Sequence, residues 1–528
     1  MAVKEEYSFI SNEIPIKIRI YTEKKEFVPI YDVSISSISK NTEIILERIR
    51  QELITEVNLG IIDIIDVKKT DLIEQRFKET IDLLVKKHFP DVDRKTMNFL
   101  KSYLIQKSLG MGNIEILMND LNLEEIALNN ADEPVWVYHR RHGWLKTNIM
   151  IESEDQIKHY ASLIGKKVGR QITVLEPLMD ANLSTGDRVN ATLLPTSLKG
   201  NTITIRKFAA KPWTITDFIR NRTISVEAAA LVWLGVQYEL SIIISGGTAT
   251  GKTSMLNVVS NFFPPNQRII SIEDTHEIKL PKFLHWIPMI TKLPNPEGRG
   301  AITMLDLLVN SLRMRPDRIV VGEIRRKKEA EVLFEAIHTG HSVYATVHAN
   351  DTDETITRLT NPPIEIPKSM IPAISMILVQ YRNRRTGIRR TFQVSEILPD
   401  SSTNVLIQLS IKKDKLEKAN KSVSVMKTLE MFTGMTRNEI NRDTKEKELV
   451  LKYLVKHNID TVDEVGRVMA EYYTDKDNFM KIVRSNKALI FEKKETAKIK
   501  EKKKSINLSK KKRSLKKKKS ARPIRKKR

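Results

Sequence analysis

The chain has 528 residues, too many for one hydrophobic core, and 41% of them are hydrophobic, so three or four globular domains are expected. It has no cysteine, which excludes disulfides, cysteine-ligated zinc and thiol catalysis together and suits a reducing interior. Of the formal net charge of +24, residues 493–528 carry +18, from 20 Lys/Arg against 2 Asp/Glu, so the rest of the chain is only mildly basic at +6.

Residues 1–6 are charged and contain no apolar signal core. No window has the roughly 18 uninterrupted apolar residues that span a bilayer. The nearest, 228–244, contains Gln237 and Glu239 and reads as a buried helix followed by a strand. A soluble protein is expected, with any membrane association peripheral.

In chain order, residues 1–90 read as an accessory region. It has short strands such as Ile16-Lys17-Ile18-Arg19-Ile20 and helical runs at 43–56 and 71–87. Residues 91–208 read as an α+β domain, with strands at 134–138 and 202–206. Residues 209–225, including Lys211-Pro212-Trp213, read as a linker suited to a hinge, after which Ser225 is placed to N-cap a helix. Residues 226–350 alternate helices with apolar runs at 241–245, 268–272, 318–321 and 343–347. Such near-continuous apolarity predicts parallel strands buried on both faces, hence a doubly wound α/β core. Residues 351–485 read as mainly helical, with Asp443-x-x-Glu446 and Thr461-x-x-Glu464 resembling capping boxes. Residues 493–528 read as a disordered basic tail, because self-repulsion and low apolar content oppose folding.

The chemistry is concentrated in 241–253. There an apolar strand leads into Gly246-Gly247-Thr248-Ala249-Thr250-Gly251-Lys252-Thr253, a G-x-x-x-x-G-K-T pattern, and then into a helix. The glycines let the backbone curl so that its N–H groups face phosphate oxygens, and the new helix adds its positive end. Lys252 supplies a mobile charge for the β- and γ-phosphates, and the Thr253 hydroxyl can ligate Mg²⁺. The expected nucleotide-binding set is Gly246 through Thr253 with Ser254, and the expected ligands are ATP and Mg²⁺. A chance Gly-rich turn is a poor alternative for a full pattern in strand–helix context. Two further strands end in acids, Glu273-Asp274 and Gly322-Glu323, at the edge where ligands of parallel sheets bind. Thr253, Glu323 and Asp274 are the expected metal contacts, partly through water. His348 and Asn350 follow another strand and are placed to sense a γ-phosphate. A metal set of His338, His341 and His348 is disfavoured, since neither cysteine nor paired acids accompany it.

The phosphate loop, Ile272-Glu273-Asp274-Thr275-His276-Glu277, the run Leu312 to Glu323 with Arg315-Pro316-Asp317-Arg318, and Thr339-Gly340-His341 through Asn350 resemble, in that order, the Walker A, Asp box, Walker B and His box of the type II/type IV secretion ATPase superfamily. These are hexameric motors of secretion systems, type IV pili and archaella. The segment Arg358-Leu359-Thr360-Asn361-Pro362-Pro363-Ile364-Glu365-Ile366-Pro367 looks most like archaeal members. The resemblance implies a RecA-like P-loop ATPase core, a preceding α+β N-terminal domain, a mainly helical C-terminal region and the disordered basic tail. It also implies roles. Arg188, in Gly186-Asp187-Arg188-Val189-Asn190-Ala191, and Arg206, in Ile203-Thr204-Ile205-Arg206-Lys207, become candidate arginine fingers. With Glu273, Glu323 and His348 they make up the expected catalytic set, with Glu273 expected to activate water and Glu323 to organise Mg²⁺, an assignment that the resemblance leaves partly open. Arg326 stands where the family usually has glycine, which bears on local loop geometry.

The implied function is a homo-hexameric motor that hydrolyses ATP to drive assembly of a type IV pilus-like or archaellum filament, or secretion. It would be cytoplasmic, peripheral at the inner face of the cell membrane, and would push on a polytopic membrane platform protein. The 493–528 tail suits an anionic membrane surface, at roughly 1 kcal/mol per basic residue. The alternative is a conjugation-related nucleic-acid translocase gripping DNA with the tail. It is not favoured, because the tail interleaves no aromatics for base stacking.

Overall fold

The computed structural model describes residues 2–35, 40–57, 70–108, 110–183, 185–208, 211–292, 294 and 298–489. The expected tail, and residues 209–210 of the expected linker, lie outside the described residues.

Two nine-stranded sheets organise the chain. The first contains Ala2–Ser11 (β1), Ile14–Thr22 (β2), Ile30–Ile35 (β3), Leu123–Leu128 (β4), Trp136–His139 (β5), Gly143–Thr147 (β6), Leu178–Asn182 (β7), Arg188–Thr192 (β8) and Thr202–Arg206 (β9). Its order is β1-β2-β3-β6-β5-β4-β9-β8-β7, so the strands of residues 1–90 extend the sheet of residues 91–208. The alternation at 16–20 is an inside–outside pattern: Ile14, Ile16, Ile18 and Ile20 are buried while Lys17 points out.

The second sheet contains Ile242–Gly246 (β10), Arg268–Glu273 (β11), His285–Ile290 (β12), Arg318–Val321 (β13), Ser342–Val347 (β14), Met376–Arg382 (β15), Arg389–Ile397 (β16), Thr403–Ser410 (β17) and Lys415–Lys418 (β18). In the order β12-β11-β13-β14-β10-β15-β16-β17-β18, strands β12 to β15 run parallel and β16 to β18 return antiparallel. All five residues of β10 are buried, as are all four of β13 and all six of β14, because helices cover both faces. This mixed α/β architecture matches the expected class. Since β11, β13, β14 and β10 are parallel neighbours, the phosphate loop and the ends carrying Glu273, Glu323 and His348 share one edge.

Residues 351–485 are mainly helical as expected, with strands β15–β18, which were not expected, between the helices. The apolar residues of these strands bury against existing sheet and helix neighbours, a tertiary effect that local propensity does not register. The C-terminal helices proper are Ser424–Thr433, Arg437–Lys456, Val462–Thr474 and Lys476–Arg484. Ser225 and Thr461 cap helices as expected, accepting from the backbone N–H of Ala228 and Glu464. Asp443 does not: it lies inside Arg437–Lys456, and the capping box of that helix is Thr436 with Glu439. Asp443 instead forms a buried ion pair with Lys447 at 2.6 Å and accepts from Tyr472 at 2.9 Å.

The C-terminal helices are joined to the phosphate-loop half through Trp233. Its ring is fully buried and stacks on Phe262 at 5.5 Å, and its Nε1 donates to Tyr473 at 2.7 Å. Tyr473 in turn donates to the Phe262 carbonyl at 2.7 Å. The described part of the linker is held as well. Lys211 and Arg220 pair with Asp460 at 2.8 and 3.3 Å, and Thr216 donates to the Ile459 carbonyl. Among the described residues no helix is long and apolar enough to cross a membrane.

Candidate functional site

The loop between β10 and the helix Lys252–Ser260 has the backbone that its glycines permit. Gly246 has φ +155° and Gly251, the N-cap, has φ +98°. Gly246 is also packed against β15: a Cβ there would lie 2.7 Å from the Gln380 carbonyl oxygen, and Gly246 and Gln380 are register partners. Ala249 takes a positive φ of 58°. Thr250 donates to the Gly247 carbonyl at 2.9 Å and braces the curl. Lys252 folds back over this loop and donates to the carbonyls of Gly246 and Gly247 at 2.9 and 3.0 Å. Burial pushes its ammonium below the ordinary lysine range, while the nearby Glu323 charge pulls it up. A lysine held this way is poised to exchange carbonyl partners for phosphate oxygens. Thr253 and Ser254 occupy the first helical turn, half-buried.

Opposite the loop, His348 Nε2 lies 2.9 Å from the Thr248 hydroxyl, and the Asn350 amide approaches Gly247. Both residues follow β14, so the expected His-box edge does meet the phosphate loop. The acids are arranged less simply. Arg325 forks across two strand ends, reaching Asp274 at 2.7 Å and Glu323 at 2.7 Å. Burial opposes its charge, but Glu323, Asp274 and Glu329 outweigh burial and hold the guanidinium above its ordinary value. Asp274 also accepts from Thr291 at 3.1 Å. Glu273 faces inward and is buried. Its Oε1 accepts the N–H groups of Glu277 and Ile278 at 2.9 and 3.0 Å, and its Oε2 meets His276 at 3.2 Å. That carboxylate is spent on the turn that follows it.

The first sheet comes to the same edge. Arg188 grips Asp180 through two hydrogen bonds, of 3.0 and 2.5 Å, and its charge is further supported by Asp274 and Glu277. Asn182 donates to the Asp274 carbonyl at 3.5 Å, and Arg206 stands 4.0 Å from Glu277. Phe208 stacks on His276 with ring centroids 6.1 Å apart, and Lys279 lies over Phe208 at 4.0 Å. Both predicted arginines therefore face the Asp-box turn, within the same chain.

The family model described as type II/IV secretion system protein matches residues 114–450. The chain belongs to that family. It is 38% identical to an uncharacterised protein of Methanocaldococcus jannaschii over 299 residues, 56% of this chain and 54% of that one, so it spans about half that relative's length. A second uncharacterised protein of the same organism is 26% identical across 91% of this chain and 90% of its own. The X-ray structure of the Legionella pneumophila ATPase DotB matches 67% of this chain and 94% of its own at 17% identity, with a TM-score of 0.41.

For a chain of this family, the residues present fit a divalent cation. Asp274 and Glu323 offer carboxylate oxygens to one cationic group already, the Arg325 guanidinium, which stands in for a metal charge between them. Two contacts escaped the sequence reading. Arg325 was legible as a residue near the Walker B acid, but its grip on Asp274 spans 51 positions and needs β11 beside β13. Arg389, at the start of β16, donates from Nε to the Ala249 carbonyl at 3.0 Å and so braces the phosphate loop. It had no signal, since β16 was not expected.

Proposed function

We propose that this chain is a homo-hexameric motor ATPase that hydrolyses ATP to drive assembly of a pilus-like or archaellum filament, or secretion, at the cytoplasmic membrane. The observation that carries the reading is an alternating line of charge across the sheet edge. Arg188 senses Asp274, Asp274 pairs with Arg325, Arg325 pairs with Glu323, and Glu323 acts on Lys252. A triphosphate entering beside Lys252 adds negative charge at one end of this line. Lys252 exchanges the loop carbonyls for phosphate, and Arg325 is drawn off the acids. The freed acids are then open to Mg²⁺, and the phosphates draw Arg188 and Arg206, which pulls the first sheet toward the second. Hydrolysis and phosphate loss remove that charge and let the sheets part, with the hinge at the start of the 209–225 linker, ahead of its helix Ile215–Arg220, which is packed into the core around Trp233.

Thr253, Glu323 and Asp274 are the residues that would hold Mg²⁺, partly through water. When bound, the ion neutralises charge on the β- and γ-oxygens. In place of the expected Glu273, Glu323 is the better acid for orienting water, because its charge reaches Lys252 while Glu273 is committed to its turn. Arg188 and Arg206 stabilise charge on the transferring phosphoryl group, and His348 with Asn350 reports it to Thr248 and the loop. Domain opening in a ring would act on a polytopic membrane platform protein, with the 493–528 tail adhering to the anionic lipid face. Phosphate release by purified Lys252→Ala protein tests the site: a loss of 100-fold or more is expected on the order of removing a principal charge contact. Wild-type turnover in that variant would place the activity elsewhere.

A further inference from the structure

The first sheet carries a cluster that the motor reading does not use. His139 ends β5, His142 lies in the turn before β6, and Glu5 lies on β1. In sheet order β1 is three positions from β6, so these residues belong to strands that are not hydrogen-bonded neighbours. Glu5 Oε2 and His142 Nε2 are 2.8 Å apart, and the His139 and His142 rings are 4.9 Å apart at 30°. One ligand atom from each of the three residues lies within 4.8 Å of the others.

We propose that Glu5, His139 and His142 form a zinc site that fastens the first hairpin to the β5–β6 turn. Two imidazoles and a carboxylate are donors that Zn²⁺ favours, and three protein ligands leave a position for water. The alternative is an ordinary ion pair of Glu5 with His142 and Arg141. That accounts for two members and fails for the third. His139 is 1% exposed, and its Nε2 has no hydrogen-bond partner among the described residues. Its Nδ1 accepts only a long bond, from the Arg141 N–H at 3.2 Å. With Nδ1 accepting, Nε2 carries the ring proton; a cation on Nδ1 takes the lone pair that the Arg141 contact uses, and a cation on Nε2 shifts the proton to Nδ1 and breaks that contact. Arg141 is no obstacle to the carboxylate: it takes Glu5 Oε1 at 3.0 Å and leaves Oε2 to the histidine side. Behind the cluster, the Tyr7 ring lies 6.3 Å from His139 and its hydroxyl donates to Asp120, so buried negative charge backs the site.

The test uses the full chain without a histidine tag, stripped with chelator and titrated with Zn²⁺ against a chromogenic competitor. Wild type should bind one tight equivalent and gain thermal stability with it. Glu5→Gln and His142→Ala should each weaken that equivalent at least tenfold and abolish the gain, while His338→Ala should change neither. Because Glu5→Gln is a conservative change near the surface, it keeps the test decisive if His142→Ala folds poorly. Co²⁺ in place of zinc should give visible tetrahedral absorption in wild type and lose it in Glu5→Gln. Absence of a tight equivalent in wild type, or equal binding by both variants, overturns the proposal.

Discussion

Gly246→Ala is the substitution for which the structure dictates most. The new methyl meets two obstacles, the Thr250 hydroxyl and the Gln380 carbonyl oxygen at 2.7 Å. The hydroxyl can turn aside. The carbonyl cannot, because Gln380 is fixed in β15 by its pairing with β10. Ordinary contact begins near 3.4 Å, so the loop must retreat by the difference, about 0.7 Å. That retreat takes at least one loop N–H off a charged phosphate oxygen, a contact worth about 1.5–3 kcal/mol, so nucleotide binding should weaken on the order of 10- to 100-fold. The φ of +155° adds backbone strain of about 1–3 kcal/mol. Gly247→Ala is the matched control. Its methyl has one tight contact, the Asn350 amide oxygen at 2.9 Å, which can rotate, and an ordinary one with Thr250 at 3.7 Å, so affinity should stay within about threefold of wild type. Equilibrium binding of a fluorescent ATP analogue, with thermal unfolding in parallel, reads both effects. Equal affinity in the two variants, or a larger loss in Gly247→Ala, would refute the reasoning.

Arg325→Ala should lower the Mg²⁺ concentration needed for half-maximal nucleotide binding by about fivefold, the size of a part-exposed ion pair of about 1 kcal/mol, as measured by titrating Mg²⁺ at fixed analogue. An unchanged midpoint would remove the guanidinium from the metal's place. Arg188→Ala should cut turnover by about 10³-fold or more while leaving the unfolding midpoint near wild type, because its pairing with Asp180 is exposed. Steady-state kinetics checks this, and an unaltered kcat would discard the finger. Trp233→Ala should cost about 3–5 kcal/mol, read by urea denaturation, since it empties a ring-sized space between the phosphate-loop helix and the C-terminal helices. A loss under about 1 kcal/mol would mean that this seam is not a packed core.

What was legible in the sequence was local. The phosphate loop announces itself because eight consecutive residues carry all its requirements: freedom at Gly246 and Gly251, charge at Lys252, a hydroxyl at Thr253. Strands β10, β11, β13 and β14 were legible because burial on both faces makes their residues continuously apolar. The rest depended on distant partners. Glu273 and Asp274 are adjacent in sequence yet turn opposite ways, one into the turn of Glu277 and Ile278 and the other toward Arg325. No local pattern distinguishes them. Asp443-x-x-Glu446 has the spacing of a capping box, but that spacing also occurs mid-helix, where Asp443 finds Lys447 one turn on. Strands β15–β18 owe their form to an existing sheet edge, which propensity alone does not supply. Arg188 and Arg206 drew notice only through family resemblance, and their facing of Asp274 and Glu277 depends on how the two sheets meet.

The central claim is that nucleotide is clamped between the sheets, with charge from both. A structure of the full-length protein with Mg²⁺ and a non-hydrolysable ATP analogue tests it most directly. The account predicts Lys252 on the phosphates from the second sheet and the guanidinium of Arg188 or Arg206 on them from the first, in the same or a neighbouring subunit. A ligand touched only by residues of the second sheet would contradict it.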